Sequence, residues 1–162
     1  MEKGFILSDA PGHLIRRAQQ LAVAIFMEET AGFDTTPLQF AILNALMTEP
    51  GEDQITLSNR VAFDPATLGS VIARLEGKGW VRRQSNPGDK RCKLLWITPE
   101  GKDLLAQMTQ TVIRAQHRIV DPLNGAERLQ LQTLLQKMVF GHEAVTRQET
   151  KPRSPGLPPD QK

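Results

Sequence analysis

DQITLSNRVAFDPATLGSVIARLEGKGWVRRQSNPGDKRCKLLWITPEG, running from Asp53 to Gly101, is the stretch that decides the fold. Asp53 can cap a short helix that turns Leu57 and Val61 inward. After a turn of a few residues, Asp64-Pro65 restarts helix, with the aspartate as N-cap and the proline in the first turn, where its missing N–H costs nothing. In this second helix Leu68, Val71, Ile72 and Leu75 stand at i, i+3, i+4 and i+7, a stripe made to be buried. The opposite face carries Ala66, Thr67, Ser70, Ala73 and Arg74, and Gly79 ends the helix. Trp80–Ser85 and Lys93–Thr98 read as two strands around Asn86-Pro87-Gly88-Asp89, which is turn chemistry. Between Arg74 and Lys93, seven basic residues stand against two acidic ones, while the whole chain nets only +2. The remainder is therefore net acidic, and the positive charge is gathered where a polyanion would lie.

Helix, turn, helix and basic hairpin, in that order, make a winged helix-turn-helix, which sets one helix in a DNA groove and a hairpin beside it. It spans about residues 36–98, because another helix starts at Thr36-Pro37-Leu38-Gln39. There Thr36 is the expected N-cap, and Gln39 stands where a capping box needs it. Phe40, Leu43, Leu46 and Met47 follow at helical spacing until Pro50-Gly51 breaks the chain. Upstream, a helix over about 10–30 carries Leu14, Ala18, Leu21, Ala22 and Ile25 as one apolar stripe. Downstream, Thr98-Pro99 launches a long helix, Asp121-Pro122 stops it, and Asn124 with Glu127 starts a last one carrying Leu131, Leu134, Leu135 and Met138 to about Thr146. The expected fold is mainly α with a small β-hairpin wing. Residues 1–146 form one domain, and 147–162, which end in the proline-rich KPRSPGLPPDQK, form a disordered tail.

Composition narrows the chemistry. A chain of 162 residues with 40% hydrophobic and 23% charged residues suits one globular domain with its own core. No apolar run approaches the roughly 20 residues of a membrane span. The start, MEKGFILSDAPGH, is too short in apolar residues for a secretion signal, so cytoplasm is the expected compartment and no membrane partner is expected. The lone Cys92 excludes an internal disulfide. The absence of tyrosine argues against an aromatic platform for single-stranded bases. His13, His117 and His142 are too scattered for a metal site, and no nucleophile motif, phosphate loop or dinucleotide fingerprint occurs. The chain is expected to be a non-enzyme without metal or cofactor.

TPLQFAIL (Thr36–Leu43), RLEGKGWVRR (Arg74–Arg83) and NPGDKRCKLLWITPEG (Asn86–Gly101) together resemble the multiple-antibiotic-resistance-regulator (MarR) family of bacterial winged-helix repressors, over about residues 10–146. The resemblance implies a homodimer. The first helix and the last two (about 10–30 and 99–146) would form its dimerisation domain, with two winged lobes below. PGHLIRRAQQ (Pro11–Gln20) is similar to a subgroup whose members often repress genes for degrading aromatic carboxylic acids, nicotinate among them.

Ala66, Thr67 and Ser70 are small enough to let the helix approach base edges, with hydroxyls for bases or phosphates and methyls for thymine. Family members often carry a longer side chain where Ser70 stands, so base readout is expected to be sparse and DNA shape important. Arg91 at the hairpin tip suits a narrow, electronegative minor groove. By resemblance, Asp89 positions Arg91 through an ion pair, while Lys90 replaces the usual arginine and keeps charge without the fork. Arg74 either contacts phosphate or braces the wing. In the first helix His13, Arg16 and Gln20 share a face with Arg17 adjacent, the guanidinium supply a carboxylate would want. With Phe40 and Leu43 as apolar walls, these would hold a small aromatic carboxylate effector, nicotinate-like in the first instance. The plainer reading gives Arg16 and Arg17 interhelix salt bridges. Gln39 reads as a cap rather than a ligand.

The leading function is thus a sequence-specific, double-stranded-DNA-binding repressor, homodimeric and released from a pseudo-palindromic operator by the acid. The alternatives are an oxidant-sensing repressor using Cys92, a winged-helix protein-interaction module, and a non-specific architectural DNA binder. The net charge of the wing segment disfavours the interaction module.

Overall fold

The computed structural model describes residues 5–89 and 91–149, with side chains through Gly141. Lys90, the His142 side chain and residues 150–162 of the expected tail lie outside the described residues. The chain forms two compact units, one ending at Ile119 and one beginning at Val120.

In the first unit the elements run α1 (Pro11–Glu29), α2 (Pro37–Thr48), β1 (Glu52–Asp53), α3 (Gln54–Val61), α4 (Pro65–Gly77), β2 (Val81–Ser85), β3 (Lys93–Ile97) and α5 (Pro99–Ile119), with single 3-10 turns at Leu7–Asp9 and Ala31–Phe33. Helix starts fall where the cap chemistry puts them. Thr36 Oγ1 accepts from Gln39 N–H at 3.2 Å, and Gln39 Oε1 accepts from Thr36 N–H at 3.1 Å, a complete capping box that explains why Gln39 is buried. The three strands pair antiparallel in the order β1-β3-β2. β1 was not anticipated: two residues carry no readable alternation, and the strand exists because the free edge of β3 offers partners, Glu52 opposite Leu95 and Asp53 opposite Leu94.

One core lies under the winged lobe. Ile42, Leu43, Leu46, Leu57, Leu68, Ile72, Leu75 and Leu95 are fully buried there, so α2, α3, α4 and the sheet share it. Each such side chain contributes about 1.5–3 kcal/mol by leaving water. A smaller cluster of Phe26, Met108 and Val112 joins α1 to α5, with Phe40 tilted against Phe26 at 6.0 Å between ring centroids. Arg118 fastens the same pair of helices through Glu28 and Glu29 at 2.9 and 3.1 Å. Only the C-terminal end of the α1 stripe is used in this way. Ile25 and Phe26 are buried, but Leu14, Ile15 and Leu21 remain exposed.

In the second unit, α6 (Gly125–Glu149) begins with the expected cap. Asn124 Oδ1 accepts from the N–H groups of Ala126 and Glu127, and Glu127 Oε2 accepts from Asn124 N–H at 2.8 Å. α6 continues through 147–149, three residues assigned to the tail from sequence. Leu129, Leu131, Leu134, Leu135 and Met138 are all exposed on it. Among the described residues no helix is long and apolar enough to cross a membrane.

Candidate nucleic-acid interface

The turn between α3 and α4 is tight because Ala62 takes a left-handed conformation (φ 55°) and Asp64 immediately caps the next helix. Asp64 Oδ1 accepts from Thr67 N–H at 2.8 Å. Hydrogen bonds from Thr67, first its side chain and then its N–H, hold the Asp64 carboxyl below the usual carboxylate range. Ser70 Oγ donates back to Thr67 O at 2.8 Å. Ala66, Thr67, Ser70, Ala73 and Arg74 are all exposed, so the face that the sequence assigned to DNA is free of the core.

Gly69 has a different job. A Cβ there would lie 3.0 Å from Gln54 Nε2, and that amide donates to Pro65 O at 2.8 Å, pinning the start of α3 to the start of α4. Sequence reasoning missed Gln54, which carries no motif of its own.

At the wing tip, Asp89 Oδ1 accepts from the backbone N–H of Arg91 at 2.9 Å, and Asp89 O accepts from Cys92 N–H at 2.9 Å. Asp89 thus bonds the backbone of Arg91 within a tight turn, and among the described residues no ion pair joins the two side chains. Asn86 closes the other side, its Oδ1 accepting from Gly88 N–H and its own N–H donating to Cys92 O. Arg91 is exposed. The ion pair that braces the wing on α4 is Arg83 with Glu76 at 3.2 Å; among the described residues Arg74 makes none. Adjacent Arg82 goes to the opposite sheet face and lies over Trp96 at 5.9 Å from the ring centroid.

A cavity of about 270 Å3 opens at the wing base between the first turn of α3 and β2–β3. Arg83, Arg91, Lys93 and Asp53 line it, along with Gln54 and half-buried Cys92.

The residues expected to hold an acid divide into two sets. His13, Arg16 and Gln20 do meet on one face of α1: Arg16 Nη1 donates to Gln20 Oε1 at 3.2 Å and Nη2 lies 3.5 Å from His13 Nδ1. Arg16 and Arg17 are exposed, and among the described residues neither makes an ion pair. Phe40 is half-buried between the two clusters, whereas Leu43 is wholly inside the winged-lobe core, and none of these residues lines the cavity at the wing base. Among the described residues no three His, Cys, Asp or Glu side chains gather as a metal site.

A helix face clear of the core, an arginine-tipped wing and a basic recess between them define a winged-helix DNA-binding protein. Residues 35–93 match the MarR family. The transcriptional regulator HosA of Escherichia coli is 32% identical over 127 residues, covering 78% of this chain and 93% of HosA. The transcriptional repressor NicR of Pseudomonas putida is 31% identical over 137 residues, covering 85% and 87%. BpsR of Bordetella bronchiseptica, whose DNA binding is regulated by 6-hydroxynicotinic acid, superposes with a TM-score of 0.81 at 32% identity, covering 85% of this chain and 98% of BpsR. The chain belongs to the MarR family.

Proposed function

We propose that the chain is a homodimeric, cytoplasmic transcriptional repressor, not an enzyme, that binds duplex operator DNA and is released from it by a small aromatic carboxylate. The observation that carries this reading is the exposed row Ala66, Thr67 and Ser70 on α4 together with a wing whose tip carries an exposed Arg91. In that arrangement α4 reads base edges in the major groove, Arg91 enters the neighbouring minor groove, and Arg74 and Lys90 meet phosphate. Residues 1–146 act as one domain, with the winged lobe over about 36–98. Exposed Leu14, Ile15 and Leu21 on α1, and exposed Leu131, Leu134, Leu135 and Met138 on α6, are surfaces that a second copy covers.

The acid binds on α1 at His13, Arg16 and Arg17; Phe40, which packs against Phe26 further along the same helix, and Leu43 behind it are the proposed apolar side of the site. The His13–Arg16–Gln20 cluster supports this, and so does the regulation of the similar BpsR by 6-hydroxynicotinic acid. An acid of that type is the first candidate. Selection of bound duplexes from a random library should enrich a pseudo-palindrome with half-sites about 10 bp apart, and titration of nicotinate-type acids should release it. Operator and acid must weaken each other by the same factor. Arg16→Ala should abolish release while leaving DNA affinity near wild type. If Arg16→Ala and Arg17→Ala both respond to the acid as wild type does, the arginines are only structural.

A further inference from the structure

We propose that the cavity at the wing base is a seat for one phosphate of the DNA backbone, with Arg83 and Lys93 as its cationic walls. The inference rests on the DNA-binding reading above and adds residues to it. Its first support is position. Gln54 lines the cavity on one side and is hydrogen-bonded to Pro65 O on the other, so the recess lies between the start of α4 and the tip arginine of the wing. In a duplex the major and minor grooves are separated by a sugar–phosphate strand. A protein that puts a helix in one groove and a wing in the next must straddle that strand, and whatever lies between them faces phosphate.

The second support is charge and room. Glu76 pairs with Arg83 from outside the lining, and Arg83, Arg91 and Lys93 line the recess with one carboxylate, Asp53. That carboxylate is already committed, because Asp53 accepts from the N–H groups of Ile55 and Thr56 and from Thr56 Oγ1, capping α3. A volume of about 270 Å3 is on the order of nine waters at about 30 Å3 each, room for phosphate oxygens and part of their hydration. The cations are held rather than loose. Arg83 is fixed by Glu76, and Lys93 Nζ donates to Ser85 Oγ at 2.7 Å. The sheet register selects them: Arg83 opposite Leu95 and Ser85 opposite Lys93 share the face that looks into the recess, while Arg82 opposite Trp96 looks away.

Fluorescence anisotropy with a labelled duplex between about 50 and 200 mM salt tests the seat. Because one phosphate is shared, loss of the seat lowers the slope of log K against log salt by about 0.9 per subunit, roughly 1.8 for a dimer; Arg83→Gln and Lys93→Gln should each lower it by up to that amount, and the double variant by no more. Arg82→Gln, which removes the same charge from the other face, should leave the slope near wild type. Glu76→Gln separates seating from bracing. If Arg83 seats phosphate, releasing it from Glu76 leaves binding equal or tighter, whereas a merely structural pair weakens equally from either side. Arg83→Lys should restore most of the slope. Wild-type slopes in both Arg83→Gln and Lys93→Gln, or equal losses in Arg82→Gln, would overturn the seat while leaving DNA binding intact. A wild type that binds no duplex would overturn both. Inorganic phosphate at matched ionic strength should stabilise the protein thermally, less so in Arg83→Gln; such stabilisation together with wild-type salt slopes in Arg83→Gln and Lys93→Gln would mark a free-anion site and overturn the assignment.

Discussion

Gly101→Ala is the substitution for which the structure gives the clearest magnitude. Gly101 is in the first turn of α5, where a Cβ would fall 2.4 Å from Trp80 O and 2.8 Å from Ile97 Cγ1. Ordinary contact begins near 3.4 Å, so the turn must retreat by about 1 Å from a carbonyl that cannot rotate away. That carbonyl accepts from Thr98 N–H at 3.0 Å, and Thr98 Oγ1 donates to Gly79 O at 2.7 Å. Both bonds stretch with the retreat, at about 1 kcal/mol each. Overpacking adds about 1–3 kcal/mol, and the better helix propensity of alanine returns about 1 kcal/mol. The net loss is about 2–4 kcal/mol, which for a chain of 162 residues lowers the Tm by about 5–15 °C. Urea unfolding followed by circular dichroism, at one fixed protein concentration because a dimer is measured, reads it directly. A variant within about 0.5 kcal/mol of wild type would show that the wing base and α5 are not locked together here, and that this reasoning is wrong.

Arg91→Ala should weaken duplex binding and flatten its salt dependence by about 1.8 in slope for a dimer; unchanged anisotropy curves would remove the wing tip from the interface. Ala62→Gly should stabilise by about 0.5–1 kcal/mol in the same urea assay, since φ 55° costs alanine about 1–2 kcal/mol and the looser unfolded glycine chain returns part of that; a loss would mean the turn is not strained. Asp64 has its pKa depressed on folding by its bonds to Thr67, so its contribution is present above its unfolded pKa of about 3.9 and is lost as pH falls through the lower folded value. Asp64→Asn keeps the cap but cannot titrate, so its urea midpoint should fall less steeply below about pH 4; identical acid profiles would dismiss the linkage.

How much of this could be read beforehand depends on whether a feature is local. Thr36 with Gln39, Asp53, Asp64 with Pro65, and Asn124 with Glu127 announce helix starts because the cap bonds lie within three residues, and each helix begins there. The exposed face of α4 followed from period alone. Features built by distant neighbours did not. β1 needs the edge of β3, the role of Gly69 needs Gln54, and the split of Arg82 from Arg83 needs the register across the wing. Leu43 was placed at a pocket wall because an apolar stripe does not say which of its members meets the core, and Leu43, like Leu46, is fully buried in it. The same ambiguity hid the partial burial of the α1 stripe.

The arginine pair on α1 and the reading face of α4 belong to opposite ends of the proposed function, and the winged unit contains a contact between their elements. Asp34, left-handed at φ 47°, closes the turn after α1, and its backbone and side-chain oxygens both accept from Lys78 Nζ at the end of α4. The Lys78 ammonium also lies 4.5 Å above the Trp80 ring, and Trp80 O accepts from Thr98 N–H at the head of α5. The loop after α1, the end of α4 and the residue before α5 are thus linked through Asp34, Lys78, Trp80 and Thr98. With Asp34 almost fully solvated, the ion pair itself is worth only about 0–1 kcal/mol, too little to matter for folding. Effector coupling operates on a similar scale, about 1–3 kcal/mol, so a contact of that size is enough to bias it. A helix of 19 residues is a rod of about 28 Å. If the acid proposed above binds at Arg16, a displacement of α1 is felt at its contacts with α5 through Phe26 and Arg118 and, five residues beyond the helix, at Asp34–Lys78.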